Sequence, residues 1–81
     1  MADSSSGHVY KKIALVGSSP KSIEDAIEGA VAKAAETLRN LDWFEVTEVR
    51  GTVQDGKVGW YQVSMNIGFR VLDSADLHRE A

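Results

Sequence analysis

Cysteine is absent from this 81-residue chain, which excludes disulfides and thiolate metal sites. Only two histidines are present. They stand near the two ends, His8 and His78, and make a poor metal cage, so no metal site is expected. A basic excess is also missing. The formal net charge is -3 and the pI is near 5.2, which argues against a general nucleic-acid binder. No apolar run approaches the roughly 18 residues that a membrane span needs. Met1 to Gly7 has neither a basic start nor an apolar middle. A soluble, cytoplasmic protein without a membrane partner is the expectation.

A chain this short forms one domain and buries only about 60% of its unfolded surface, which leaves it marginal alone. Without disulfides or metal, oligomerisation is the remaining route to stability. The ends read as tails. The expected N-terminal tail, 1–8, is small and polar from Ala2 to Gly7, and the expected C-terminal tail, 73–81, is mostly charged with one isolated leucine. The domain is expected to span 9–72.

What is present divides into strand, helix, strand, strand. Val9 to Val16 mixes β-branched residues with lysines and ends at Gly17, which suits a strand. Ser18-Ser19-Pro20 reads as a helix start, with serine as N-cap and proline at the first helical position. Ile23, Ala26, Ile27, Ala30, Val31, Ala34, Leu38 and Leu41 then recur at helical spacing as one apolar stripe. Acids early and bases late complement the helix dipole, and the helix is expected to stop near Asn40 to Asp42.

Asp55-Gly56 is the dipeptide a tight primed turn prefers, so a hairpin is expected around it. Counting outward from Gln54 opposite Lys57 sets Val46 against Met65 and Phe44 against Ile67. This gives four apolar side chains for the helix to cover. Trp43, Glu45, Thr47 and Val49 then share the other face with Gln62, Ser64, Asn66 and Gly68. On this count Glu45 and Glu48 lie on opposite faces, which argues against paired acid–base catalysis. Trp43 pairs near Gly68 and Gln62 near Val49, about six residues apart, or about 20 Å at roughly 3.3 Å per residue. A small ligand that touched both would therefore sit between subunits. The fold class is α+β: a β-α-β-β chain whose three-stranded antiparallel sheet packs on one helix.

Val9-Tyr10-Lys11-Lys12, Leu41-Asp42-Trp43-Phe44-Glu45-Val46, Arg50-Gly51-Thr52, Tyr61-Gln62-Val63 and Gly68-Phe69-Arg70 follow one another in order. In this order the chain closely resembles the dodecins, from about Val9 to Leu72. The resemblance implies a hollow homododecamer that binds flavins, and in bacterial members also coenzyme A. It implies that Trp43 stacks on the isoalloxazine ring, that Gln62 hydrogen-bonds the ring, and that Arg50 lies near the phosphate of flavin mononucleotide (FMN). Riboflavin is the phosphate-free alternative. Lys11, Lys33, Thr37 and Arg70 match positions that contact coenzyme A. Two residues depart from the pattern: Lys33 stands where arginine is expected, and Trp60 replaces a polar residue.

These residue types suit that chemistry. An indole stacks on a flat, electron-poor ring with on the order of 1 to 3 kcal/mol, by analogy with base stacking. A glutamine amide offers donor and acceptor to a carbonyl beside a ring nitrogen, and arginine meets phosphate bidentately. Close indole contact also quenches an excited flavin, so the implied role is flavin storage and photoprotection without enzymatic turnover. Taken alone, the same residues read differently. An exposed tryptophan more often packs an interface, Gln62 is an ordinary strand residue, and Lys11 and Lys12 blunt an edge strand. A structural or protein-interaction module whose free sheet face serves only assembly is the other reading.

Overall fold

The structure is a computed structural model and describes residues 7–72. The expected tails, 1–8 and 73–81, lie outside these residues except for Gly7 and His8. The order is β1 (Val9–Ser19), α1 (Ile23–Ala35), β2 (Leu41–Gln54) and β3 (Lys57–Val71). The strands form one antiparallel sheet in the order β1-β3-β2, so the expected α+β architecture holds.

The hairpin turn falls on Asp55 and Gly56, both with positive φ (54° and 75°), as a primed turn requires. Gln54 faces Lys57, Val46 faces Met65 and Phe44 faces Ile67, as counted from the sequence. The register departs from simple counting at three places. Asp42 is an extra residue between the pairs Leu41–Phe69 and Trp43–Gly68, and Thr47 is extra between Val46–Met65 and Glu48–Ser64. Gly59 is extra on β3, between Val53–Val58 and Thr52–Trp60. Each bulge puts two residues opposite one and shifts the alternation of its own strand. Between Thr47 and Gly59, β2 is therefore displaced by one residue. Val49 pairs with Val63 and turns to the helix side, while Glu48 and Arg50 join Glu45 on the face opposite the helix.

The helix starts later than the expected Ser18-Ser19-Pro20 signal, with Pro20 outside it, and ends before its apolar stripe does. β1 runs on through Ser19, and Ser22 is the N-cap, its hydroxyl accepting from Asp25 N–H at 3.0 Å. Ser19, 1% exposed, braces this start. Its hydroxyl donates to the Asp25 carboxylate (2.7 Å) and accepts from Lys21 N–H (2.9 Å). At the far end, Glu36, Thr37 and Leu38 N–H bond back to Lys33 and Ala34 carbonyls in a closing turn. Asn40 takes φ 63°, a conformation asparagine tolerates better than most residues, and β2 begins at once.

Ala26, Ala34, Val63, Met65 and Ile67 form the buried core, flanked by Ile13, Leu15, Ile27, Ala30, Val31, Leu38 and Leu41. A Cβ at Gly17 would overlap the Ala26 carbonyl oxygen. That glycine lets α1 approach the sheet closely. The helix packs on β1 and β3 and does not reach across to cover β2. Phe44 (48%), Val46 (42%) and Val49 (49%) remain exposed on the helix side of β2. The expectation that the helix covers all four apolar side chains of the hairpin is corrected here. One 13-residue helix, about 10 Å wide, roofs two strands spaced at about 4.8 Å, and β3 is the central strand.

Candidate functional site

Trp43, Gln62 and Arg50 all stand on the face opposite the helix. At one end, Lys12, Gly68 and Trp43 form a row across β1, β3 and β2. The Trp43 indole lies over Gly68, where a Cβ would overlap its Cε2 and Cζ2 atoms. It reaches toward Tyr10 of β1, with ring centroids 6.1 Å apart and planes at 49°, a tilted aromatic contact. Trp43 as a residue remains 37% exposed. Tyr10 is tied in turn to Asp42. A hydrogen bond to that carboxylate pushes the phenol above its usual value, with Arg70 pulling the other way.

Glu45 stands in the next row, opposite Asn66. It accepts hydrogen bonds from Asn66 Nδ2 (3.2 Å) and Lys12 Nζ (3.3 Å). These two donors hold its carboxyl below the usual carboxylate value.

Farther along the same face, Ser18, Gln62 and Arg50 form another row. The Arg50 guanidinium donates from Nε to Gln62 Oε1 at 3.3 Å. Arginine has donors only, so the amide must turn its oxygen to Arg50. That leaves the Gln62 amide N–H₂ free to donate elsewhere, and Arg50 keeps its terminal N–H groups. Gly68, the partner of Trp43, is about six residues from Gln62 along β3, or about 20 Å. One chain therefore carries an indole and an amide–guanidinium pair on one face, too far apart to grip a single small ligand.

The other candidate residues divide between the two sides of the sheet. Lys11 pairs with Phe69 and shares the alternation of Ile13, on the helix side. Lys33 lies in the last turn of α1, exposed, with its ammonium 4.0 Å from Glu36. Thr37 follows in the closing turn, exposed, with its N–H on the Ala34 carbonyl. Because α1 connects the Ser19 end of the sheet to the Leu41 end, all three collect at the end where β1 begins. Arg70 is at that end too, but opposite Tyr10 and so on the other face. It lines a shallow recess with Asn40, Leu41, Asp42 and Leu72.

Two contributors escaped the sequence reading. Tyr10 is reached only through the three-strand register. Gly68 was paired with Trp43 by counting, but its role as the floor under the indole was missed, although an isolated glycine inside a strand marks such a close approach.

A family model described as Dodecin matches residues 9–72, and the chain belongs to the dodecin family. A curated dodecin from Thermus thermophilus is 54% identical over 65 residues, 80% of this chain and 94% of that one. Among solved structures, the tt0972 protein of Thermus thermophilus superposes with a TM-score of 0.79 at 51% identity, covering 84% of this chain and 100% of that one. The dodecin of Streptomyces coelicolor matches with a TM-score of 0.78 at 48% identity, covering 85% of this chain and 99% of that one. The protein is thus of the small dodecin type. Among the described residues, no helix is long and apolar enough to cross a membrane.

Proposed function

We propose that this protein stores flavin, holding FMN or riboflavin between subunits of a closed homododecamer and quenching its photochemistry. The observation that carries the reading is the split face: an exposed indole at Trp43, and an oriented amide–guanidinium pair at Gln62 and Arg50 about 20 Å away. Copies that place one end beside the other complete a site that neither end makes alone.

The residues fit the group. Trp43 supplies the stacking surface, and Gly68 sets how deep that indole sits. Gln62 donates through its free N–H₂ to a ring carbonyl, and the second lone pair of Oε1 remains for a ring N–H. The terminal nitrogens of Arg50 meet the phosphate of the mononucleotide. A bound flavin supplies a light-absorbing redox ring, and the close indole returns it dark. Self-association has its own support in the apolar band of Phe44, Val46 and Val49, exposed beside the helix. Lys11, Lys33 and Thr37, gathered at one end of the helix side, are proposed to take the phosphates of coenzyme A, with Arg70 as an approach from the other face. Lysines meet these phosphates as point charges without a planar fork.

Titration of purified protein with FMN tests the reading. Stoichiometric loss of flavin fluorescence is the expected result. Undiminished fluorescence in the presence of a large assembly leaves the scaffold reading instead.

A further inference from the structure

Trp60 is a second exposed indole, 43% accessible, and its place is fixed without its ring. Its backbone N–H donates to Thr52 Oγ1 at 3.0 Å. Across the same strand pair, a Cβ at Gly51 would stand only 2.6 Å from its carbonyl oxygen, so glycine there lets the two backbones close up. The bulge at Gly59 sets the alternation that follows it. Beyond that bulge, Trp60 pairs with Thr52 and Gln62 with Arg50, with no irregularity between. These four side chains therefore share the face opposite the helix. Trp60 and Gln62 are two residues apart on it, about 7 Å, less than the length of a three-ring heterocycle. β1 makes its last pair at Ser19–Tyr61, so among the described residues no third strand flanks β3 at Trp60. The residue stays 43% accessible in the monomer, and it stands beside the amide and guanidinium assigned to the ligand.

We propose that Trp60 is a further binding residue of the intersubunit site. Its ring contacts the flat heteroaromatic ligand on the Gln62 side while Trp43 of another copy stacks on it. This inference rests on the flavin reading above. The contact is to the ring system and does not involve the phosphate, so it serves riboflavin and FMN alike.

The test compares Trp60→Leu, which keeps apolar bulk without an aromatic face, with Trp60→Phe, which keeps a ring. Bound riboflavin and FMN are measured by equilibrium dialysis against the intact assembly, whose size is checked by size exclusion. Expected is about a tenfold or greater loss of affinity for both ligands in Trp60→Leu, the scale of one lost stacking contact. Trp60→Phe recovers most of it, and both variants elute as the wild type does. Unchanged affinity in Trp60→Leu overturns the proposal. A smaller assembly in Trp60→Leu, restored in Trp60→Phe, also overturns it, because the indole then packs against a second copy. Failure of the flavin reading itself is distinguishable, since the unaltered protein would then retain neither ligand.

Discussion

Trp43 occupies the space above Gly68 that any side chain there would need, since a Cβ at Gly68 overlaps two atoms of the indole. The glycine thus sets the depth of the indole on the sheet, and Tyr10, 6.1 Å away, limits its lateral swing. Gly68→Ala is predicted to push the indole off the sheet and to weaken flavin binding by about tenfold or more, the scale of a disturbed stacking contact. The helix-side core at Met65 and Ile67 faces away and is untouched. Equilibrium dialysis of the variant measures the loss. Wild-type affinity would show that the position of the indole over Gly68 is irrelevant to the ligand.

Arg50 has two duties in this account, bracing the Gln62 amide through Nε and meeting phosphate through its terminal nitrogens. Arg50→Ala removes both, but only FMN loses a charge-assisted contact, worth about 1.5–3 kcal/mol. FMN affinity is therefore predicted to fall by about tenfold more than riboflavin affinity. Parallel titrations give the ratio, and equal losses would count against the phosphate role.

Glu45 yields a pH prediction. Its carboxyl is held below the ordinary value of 4.5 by Asn66 and Lys12. A depressed pKa in the folded state adds stability above the unfolded value and loses it as pH falls through the folded one. Thermal unfolding followed downward from pH about 6 should show a loss in this acid range. Glu45→Gln should reduce that loss and leave the stability near neutral pH only slightly lower, as an exposed ion pair contributes little. Identical acid profiles would show that the Lys12–Glu45–Asn66 cluster is not formed in solution.

Gly17 meets the backbone of α1, where a Cβ would overlap the Ala26 carbonyl oxygen. Backbone yields less than a side chain does, so Gly17→Ala is predicted to cost about 1–3 kcal/mol by lifting the helix. A lowered unfolding temperature checks this. No change would mean that α1 sits farther from β1 than described.

The β-α-β-β order, the Asp55-Gly56 turn and the pairing of Trp43 with Gly68 were legible from alternation, spacing and one dipeptide. The middle of the hairpin was not. Counting assumes one residue opposite one, and the bulges at Thr47 and Gly59 cancel, so the count is right near the turn and again from Val46 to Trp43, but wrong between them. That error hid the Arg50–Gln62 contact and placed Val49 and Glu48 on the wrong faces. The helix start slipped because Ser18, Ser19 and Ser22 are all competent caps. Only tertiary packing, with Ser19 buried and β1 continuing through it, selects Ser22. The helix end slipped because Leu38 and Leu41 keep the apolar spacing after the backbone has left the helix for the Asn40 turn.

The account stands most directly on Trp43. Wild-type protein and Trp43→Ala, each passed through size exclusion with FMN while absorbance and flavin fluorescence are recorded, test it in one experiment. The account predicts about 106 kDa for both, twelve copies of the 8.8 kDa chain. It also predicts quenched flavin co-eluting with the wild type alone. A Trp43→Ala assembly that still carries quenched flavin, or one that falls apart, would contradict it.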